Sequence, residues 1–372
     1  MAWSPQTEEV ESKIASVREM MARRKLAAVL ITQRYNVAWL TAGGDNLVLY
    51  DSQDSLIGIL LTPRRAVVIA ENGDHDRVAA EEFTHCPFEY KRIWWCSGGV
   101  PAAVPGMVKG TIGVDSPVPT MPKQESVADD LALLRQVLLP QEARRLRVFG
   151  REASSIISDV ARTAEPGIRE RELAARLAAQ FLLWGFSVAV ILIGGDERSM
   201  SYRHQVASDR RIRKHFSLCG VGRKGGLTFP INRVVSFGPP PEELLENNQR
   251  IEQVFVHLNS LARAGTSLQS IYRELPSIFA AAGLEAGEWM RHSIGGTMGY
   301  QPREQVVAEG AAYTLREGNV IGWNPSLPGV MSEDVYLLSG AGLEFVSCDT
   351  RWPSRKVTAN GLTQLRPEVL VL

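Results

Sequence analysis

The stretch HSIGGTMGYQPRE, beginning at His292, gathers His292, Tyr300, Arg303 and Glu304 around three glycines. Thirty residues on, GWNPSLPGVMSED carries Trp323 and Asn324 and ends in the paired acids Glu333 and Asp334. A histidine near its ordinary pKa of about 6.5 exchanges protons at neutral pH. An arginine fork matches the two oxygens of a carboxylate. A carboxylate among buried polar groups can serve as a general base. The same residues allow plainer readings: a satisfied histidine beside a glycine turn, a solvent-facing Arg303–Glu304 pair, and Glu333 in an ion pair with Arg233 or with His292.

Charge narrows the class of partner. Lys+Arg and Asp+Glu both total 41, so the formal net charge is zero. No basic run adds a local field, and neither nucleic acid nor a membrane is expected as a partner. With 45% hydrophobic and 22% charged residues over 372 positions, the chain reads as a globular protein of at least two domains. The opening MAWSPQTEEVESK lacks the basic-then-apolar order of a secretion signal, and no apolar run approaches the roughly 18 residues of a spanning helix. Cys86, Cys96, Cys219 and Cys348 form no CxxC pair, which points to reduced thiols in the cytoplasm.

The elements that must position these residues divide the chain near residue 135. Before it, TEEVESKIASVREMMARRKL has helical spacing, AAVLIT, LIGILLT, RAVVIA and TIGVD read as strands, and DRVAAEEF as a helix. After it, PQEARRLRVFGREASSIISDVARTA and a second amphipathic helix are echoed by NNQRIEQVFVHLNSLA and another helix, with β-like runs between and after them. Gly167 to Gly185 and Gly265 to Gly283 are both spaced by eighteen, so an internal αα-β duplication is expected.

The order of these parts, with the HSIG and EGNVIGWNP…EDVYLL blocks, resembles the creatinase, prolidase and aminopeptidase P superfamily over nearly the whole chain. The resemblance implies an α/β (α+β) protein, with a creatinase-like N-terminal domain over residues 1–134 and a duplicated pita-bread catalytic domain over 135–372. Peptidases of that superfamily hold two metal ions through two aspartates, a histidine and two glutamates. The matching positions here are Cys219, Pro230, His292, Asn324 and Glu333; Arg233 of PINR matches the arginine of an Asp-x-x-Arg pattern and so places Pro230. Proline has no side-chain donor, and a neutral amide is a poor ligand for a hard cation. A dinuclear centre, which needs bridging carboxylates, is not expected, and neither is any cofactor. The surviving metal alternative is a single zinc on Cys219, His292 and Glu333.

Creatinase provides a precedent for metal-free cleavage of a C–N bond, with a loop histidine moving the proton. The matching residue is His204 in SYRHQVASDRR, fifteen positions before Cys219; its plainer reading is a surface-loop histidine. The carboxylates with which creatinase grips its cationic substrate match Asn232 and Asn324, so a neutral or zwitterionic amide or amine is expected in place of creatine. The resemblance thus implies a metal-independent hydrolase of a small amino-acid-like substrate. His204, His292, Glu304 and Glu333 are the candidate catalytic groups, and Asn232, Arg233, Tyr300, Arg303, Trp323 and Asn324 the candidate substrate contacts. A lyase or cyclase on the same residues, a non-catalytic binding protein like the histone-chaperone relatives of the superfamily, and the zinc hydrolase are the alternatives. Trp94 and Trp95 in RIWWCSGG, read as a strand, would point to opposite faces, one to the core and one toward a partner subunit of a homodimer.

Overall fold

The computed structural model describes residues 7–44, 47–118, 121 and 123–372. The chain divides after Glu142 into two units, with the short segment Gly225–Leu227 counted with the first. In the first unit, helix α1 (Thr7–Arg24) buries Val10, Ile14, Val17, Met20 and Met21, one stripe at helical spacing. Then come β1 (Ala28–Gln33), α2 (Arg34–Leu40), β2 (Asp54–Leu61), β3 (Ala66–Glu71), α3 (His75–Arg77), β4 (Glu89–Ile93), α4 (Gly99–Ala103), β5 (Ile112–Val114), β6 (Gln124–Ser126) and α5 (Ala128–Arg135). The strands form one mixed sheet in the order β4-β3-β2-β1-β5-β6. β1 and β3 are almost wholly buried, which is why they read as continuous apolar runs rather than alternating ones.

One expectation fails here. β4 ends at Ile93, Trp94 is extended, and Trp95 opens a short 3₁₀ turn, so the pair does not straddle a strand. Both rings are exposed, at 65% and 71%, and neither is core.

The second unit carries the duplication. Its first half holds α6 (Pro140–Arg162), α7 (Glu170–Leu183), β7 (Ser187–Gly195), α8 (Asp196–Ser201), β8 (His215–Lys224) and β9 (Leu227–Ser236). Its second half holds α9 (Glu242–Leu261), α10 (Leu268–Ala281), β10 (Gly295–Met298), β11 (Gln305–Val306), β12 (Val320–Trp323), β13 (Ser326–Leu327), β14 (Val330–Met331), β15 (Asp334–Ser339), β16 (Gly342–Phe345), β17 (Ser354–Ala359), β18 (Leu362–Pro367) and β19 (Leu370–Val371). Two larger sheets, β19-β9-β8-β7 and β11-β10-β12-β15-β16, and two two-stranded ones, β13-β14 and β17-β18, result.

The eighteen-residue glycine spacing has a backbone cause. Gly167 and Gly265 enter their helices at φ +96° and +90°, and Gly185 and Gly283 leave them at +74° and +72°. α7 and α10 are both 14 residues long. Each ends in the same loop closure, Phe186 N to Phe181 O at 2.8 Å and Leu284 N to Phe279 O at 3.1 Å. Just before each helix an isolated bridge ties the chain down, Arg169 to Arg211 and Ser267 to Thr314.

Candidate active site

Alternation along β8 and β9 sets one wall of the site. Ser217 and Cys219 share one face of β8, Pro230 and Asn232 one face of β9, and all four are buried. Asn232 Nδ2 donates to Ser217 Oγ at 2.9 Å, so two neutral groups satisfy each other. Cys219 Sγ donates to Glu333 Oε2 at 3.4 Å, and Arg303 Nη2 donates to the other oxygen at 3.0 Å. Glu333 stands immediately before β15 and is 5% exposed. Its charge is therefore balanced from within the chain by a guanidinium.

The second cluster is a pair of imidazoles. His292 Nε2 and His204 Nε2 lie 3.2 Å apart, with the rings edge to face. His292 Nδ1 lies 3.2 Å from the carbonyl oxygen of Asn324 and 3.1 Å from Ser326 Oγ. A carbonyl only accepts, so the proton of neutral His292 sits on Nδ1, and Nε2 is left to accept from His204. Burial, and next the neighbouring His204, push the His292 pKa down to about 4, with Arg203 and Arg303 acting in the same direction. His292 is thus a neutral acceptor at pH 7, while the exposed His204 faces solvent.

Arg203 braces this pair. It donates to Ser326 Oγ at 3.3 Å through one nitrogen and to Glu288 through another. Arg203, Ser326, Glu288 and Ser217 were not among the residues singled out in the sequence. Ser217 was accessible to strand alternation from Cys219, and Arg203 by its place beside His204. Ser326 and Glu288 carry no spacing signal.

Three expected substrate contacts have their polar groups committed elsewhere. Arg233, 3% exposed, bonds Asp334 at 2.9 Å rather than Glu333. Tyr300 is 1% exposed, and its hydroxyl accepts from Arg145 at 3.0 Å. Trp323 lies in the apolar core, its indole N–H held by Asn259 at 2.9 Å. Glu304 accepts from the backbone of Gln301 at 3.2 Å, and Arg303 pairs with Glu333 instead of with it. His204, His292, Asn324, Arg303 and Glu333 do converge: Asn324 binds His292, and Arg303 bears electrostatically on both His292 and Cys219. Asn324 Oδ1 is buried with no hydrogen-bond partner among the described residues.

A metal does not fit this donor set. Among the described residues no group of three or more His, Cys, Asp or Glu is arranged to hold an ion. Position 230 is a proline with no side-chain donor, and position 324 an asparagine whose neutral amide is a poor ligand for a hard cation. His292 Nε2 faces His204 and not Cys219 or Glu333. The five matched positions offer one carboxylate, one imidazole and one thiol, too few carboxylates to bridge two metal ions.

Comparison with known proteins agrees with this architecture. The model of metallopeptidase family M24 matches residues 144–346, and that of the creatinase/prolidase N-terminal domain matches residues 13–148. No curated protein sequence matches the chain. Among solved structures, the prolidase from Pyrococcus horikoshii OT3 superposes with a TM-score of 0.76 at 22% identity, covering 91% of this chain and 98% of that one. The Xaa-Pro dipeptidase from Bacillus anthracis gives 0.75 at 17%, covering 98% and 100%. The N-terminal domain of the FACT complex subunit SPT16 from Cicer arietinum gives 0.71 at 10%, covering 93% and 97%. At such identities the superpositions speak for the fold alone, a creatinase-type N-terminal domain followed by a pita-bread domain. With more than half of its residues matched by the catalytic-domain model, the chain belongs to metallopeptidase family M24.

Proposed function

We propose that this chain is a metal-independent, creatinase-like hydrolase of a C–N bond in a small amino-acid-like substrate, with His204 as general acid and base. The observation that carries the reading is the 3.2 Å contact between His204 and a neutral His292, in a site whose one remaining ligand-position carboxylate is already paired with Arg303. In this reading His204 takes a proton from water as the water oxygen bonds to the carbon of the C–N bond. When that bond breaks, the same proton passes to the departing nitrogen. His292 accepts from His204 Nε2, which leaves Nδ1 as the working nitrogen and steadies the imidazolium that forms between the two transfers. Arg303, anchored on Glu333, offers its remaining donors to a substrate carboxylate. Asn324, whose Oδ1 has no hydrogen-bond partner among the described residues, supplies a neutral polar contact, which suits an uncharged or zwitterionic substrate.

The exposed Trp94 and Trp95 support a homodimer as the active unit, and four cysteines without a disulfide suit a reducing, cytoplasmic setting. Elimination or ring closure on the same residues would use the same proton relay.

The test is turnover of a panel of N-acyl, ureido and amidino acids by the purified chain, with and without a chelator, together with its metal content. His204→Ala should lower kcat by roughly 10²–10⁴-fold while the circular dichroism spectrum is kept. Full activity in that variant, or activity abolished by the chelator and restored by zinc, would overturn the mechanism. The likeness to the SPT16 domain keeps a second reading in view, a binding protein without catalysis. It requires that no member of the panel turns over.

A further inference from the structure

A cavity of about 810 Å³ opens in the second unit away from the histidine pair, with which it shares no lining residue. That volume lies within the range of small-molecule sites, roughly 300–1,000 Å³. Its wall is built from the end of β7, helix α8, the segment before β8 and the start of α9. Four cationic side chains line it, Arg210, Arg211, Arg213 and Lys214, and all four are exposed. None of them forms a salt bridge among the described residues. Arg211 spends one donor on the carbonyl of Gly167 at 2.8 Å. A fifth cation, Arg198, is already neutralised by buried Glu170.

The acids on the wall do not cancel this surplus. Asp196 is held at φ +50°, and its carboxylate accepts the backbone N–H groups of Arg213, Lys214 and His215 at 2.9, 2.8 and 3.1 Å. That strained residue therefore fixes the turn that presents the cations, a use of backbone strain that needs a compensating role. Asp196, Glu197 and Glu243 together set three carboxylates against four cations that form no salt bridge among the described residues. His215, in the same wall and 5% exposed, has no partner for either ring nitrogen. A buried donor without an acceptor is costly, and such groups in native proteins call for an explanation.

We propose that this cavity is a second ligand site, for a small multivalent oxyanion of the phosphate type. Arginine forks grip phosphate oxygens in pairs, and the exposed Arg210, Arg211 and Arg213, with Lys214 beside them, supply such donors on one wall. The site makes no assumption about the reaction at His204, so it stands or falls by binding alone.

The experiment is isothermal titration of the full chain with inorganic pyrophosphate, and separately with citrate, at constant ionic strength set by chloride. One equivalent of pyrophosphate should saturate the chain and bind more tightly than citrate; tighter citrate would overturn the phosphate assignment. The double variant Arg213→Ser/Lys214→Ser changes only exposed side chains and should weaken binding by at least about tenfold, since each charge-assisted hydrogen bond lost is worth such a factor. Arg64→Ser, an exposed position in the other unit, should leave it unchanged. No saturable heat at millimolar ligand, or equal affinity in the double variant, overturns the proposal.

Discussion

A carbonyl has no proton to give, and at His292 that constraint orders the proton chain from Asn324 to His204. Arg303 and Glu333 follow a similar logic of enclosed charge. A carboxylate that is 5% exposed would be costly alone, and the guanidinium 3.0 Å away makes it tenable. His215 lacks such compensation. Burial lowers its pKa, Lys214 adds to this, and Asp196 only partly opposes it. The folded state therefore binds a proton less readily than the unfolded chain. Stability should be full above the unfolded value near 6.5 and fall as pH drops from there toward the lowered folded value. His215→Phe should flatten that fall between pH 7 and 5 in urea titrations; an unchanged pH slope would show that His215 carries none of it.

Between α7 and α10 the repeat is one of backbone as much as of sequence. The entry glycines have open space around the missing Cβ, so their requirement is purely the left-handed φ. Gly265→Ala should therefore cost about 1–2 kcal/mol, the price of a side chain in that region. Gly106→Ala, equally unobstructed but without a positive φ, should be neutral or slightly stabilising. Equal midpoints for the two variants in urea would remove the backbone account of the repeat. Cys219, Pro230 and Asn232, singled out in the sequence only through the family resemblance, come to share one wall through period-two alternation along β8 and β9.

Each of the two units has a buried charge network of its own. In the first, Lys13, 1% exposed, bonds Glu9 at 2.6 Å, Glu142 at 2.7 Å and the carbonyl of Trp39 at 2.7 Å. In the second, Arg366 stacks on Phe255 with 3.8 Å to the ring centre and joins Glu252 to Asp334. Asp334 in turn holds Arg233, which explains why that arginine is unavailable to a ligand. Breaking such a network from one side strands charge in the interior. Lys13→Met should destabilise the chain by about 3–5 kcal/mol, because two carboxylates lose their shared cation. The shift in the first denaturation transition measures it, and a loss below about 1 kcal/mol would mean that water reaches the site.

The order of elements and the duplication were legible in the amino-acid sequence. They depend on local periodicity and on glycines that only a left-handed turn requires. The partners of those residues were not legible. His204 and His292 are 88 positions apart, and Arg303 and Glu333 are 30 apart, so no spacing rule links them. Tyr300, Arg233 and Trp323 sit in polar-rich stretches that suggested a pocket, yet packing turned them inward toward Arg145, Asp334 and Asn259. Trp94 and Trp95 looked half-buried because a strand was expected beyond Ile93, and the turn there exposed both. Sequence determines what each side chain is able to donate, accept or neutralise; which neighbour it meets is set by long-range burial, and only the tertiary structure decides that.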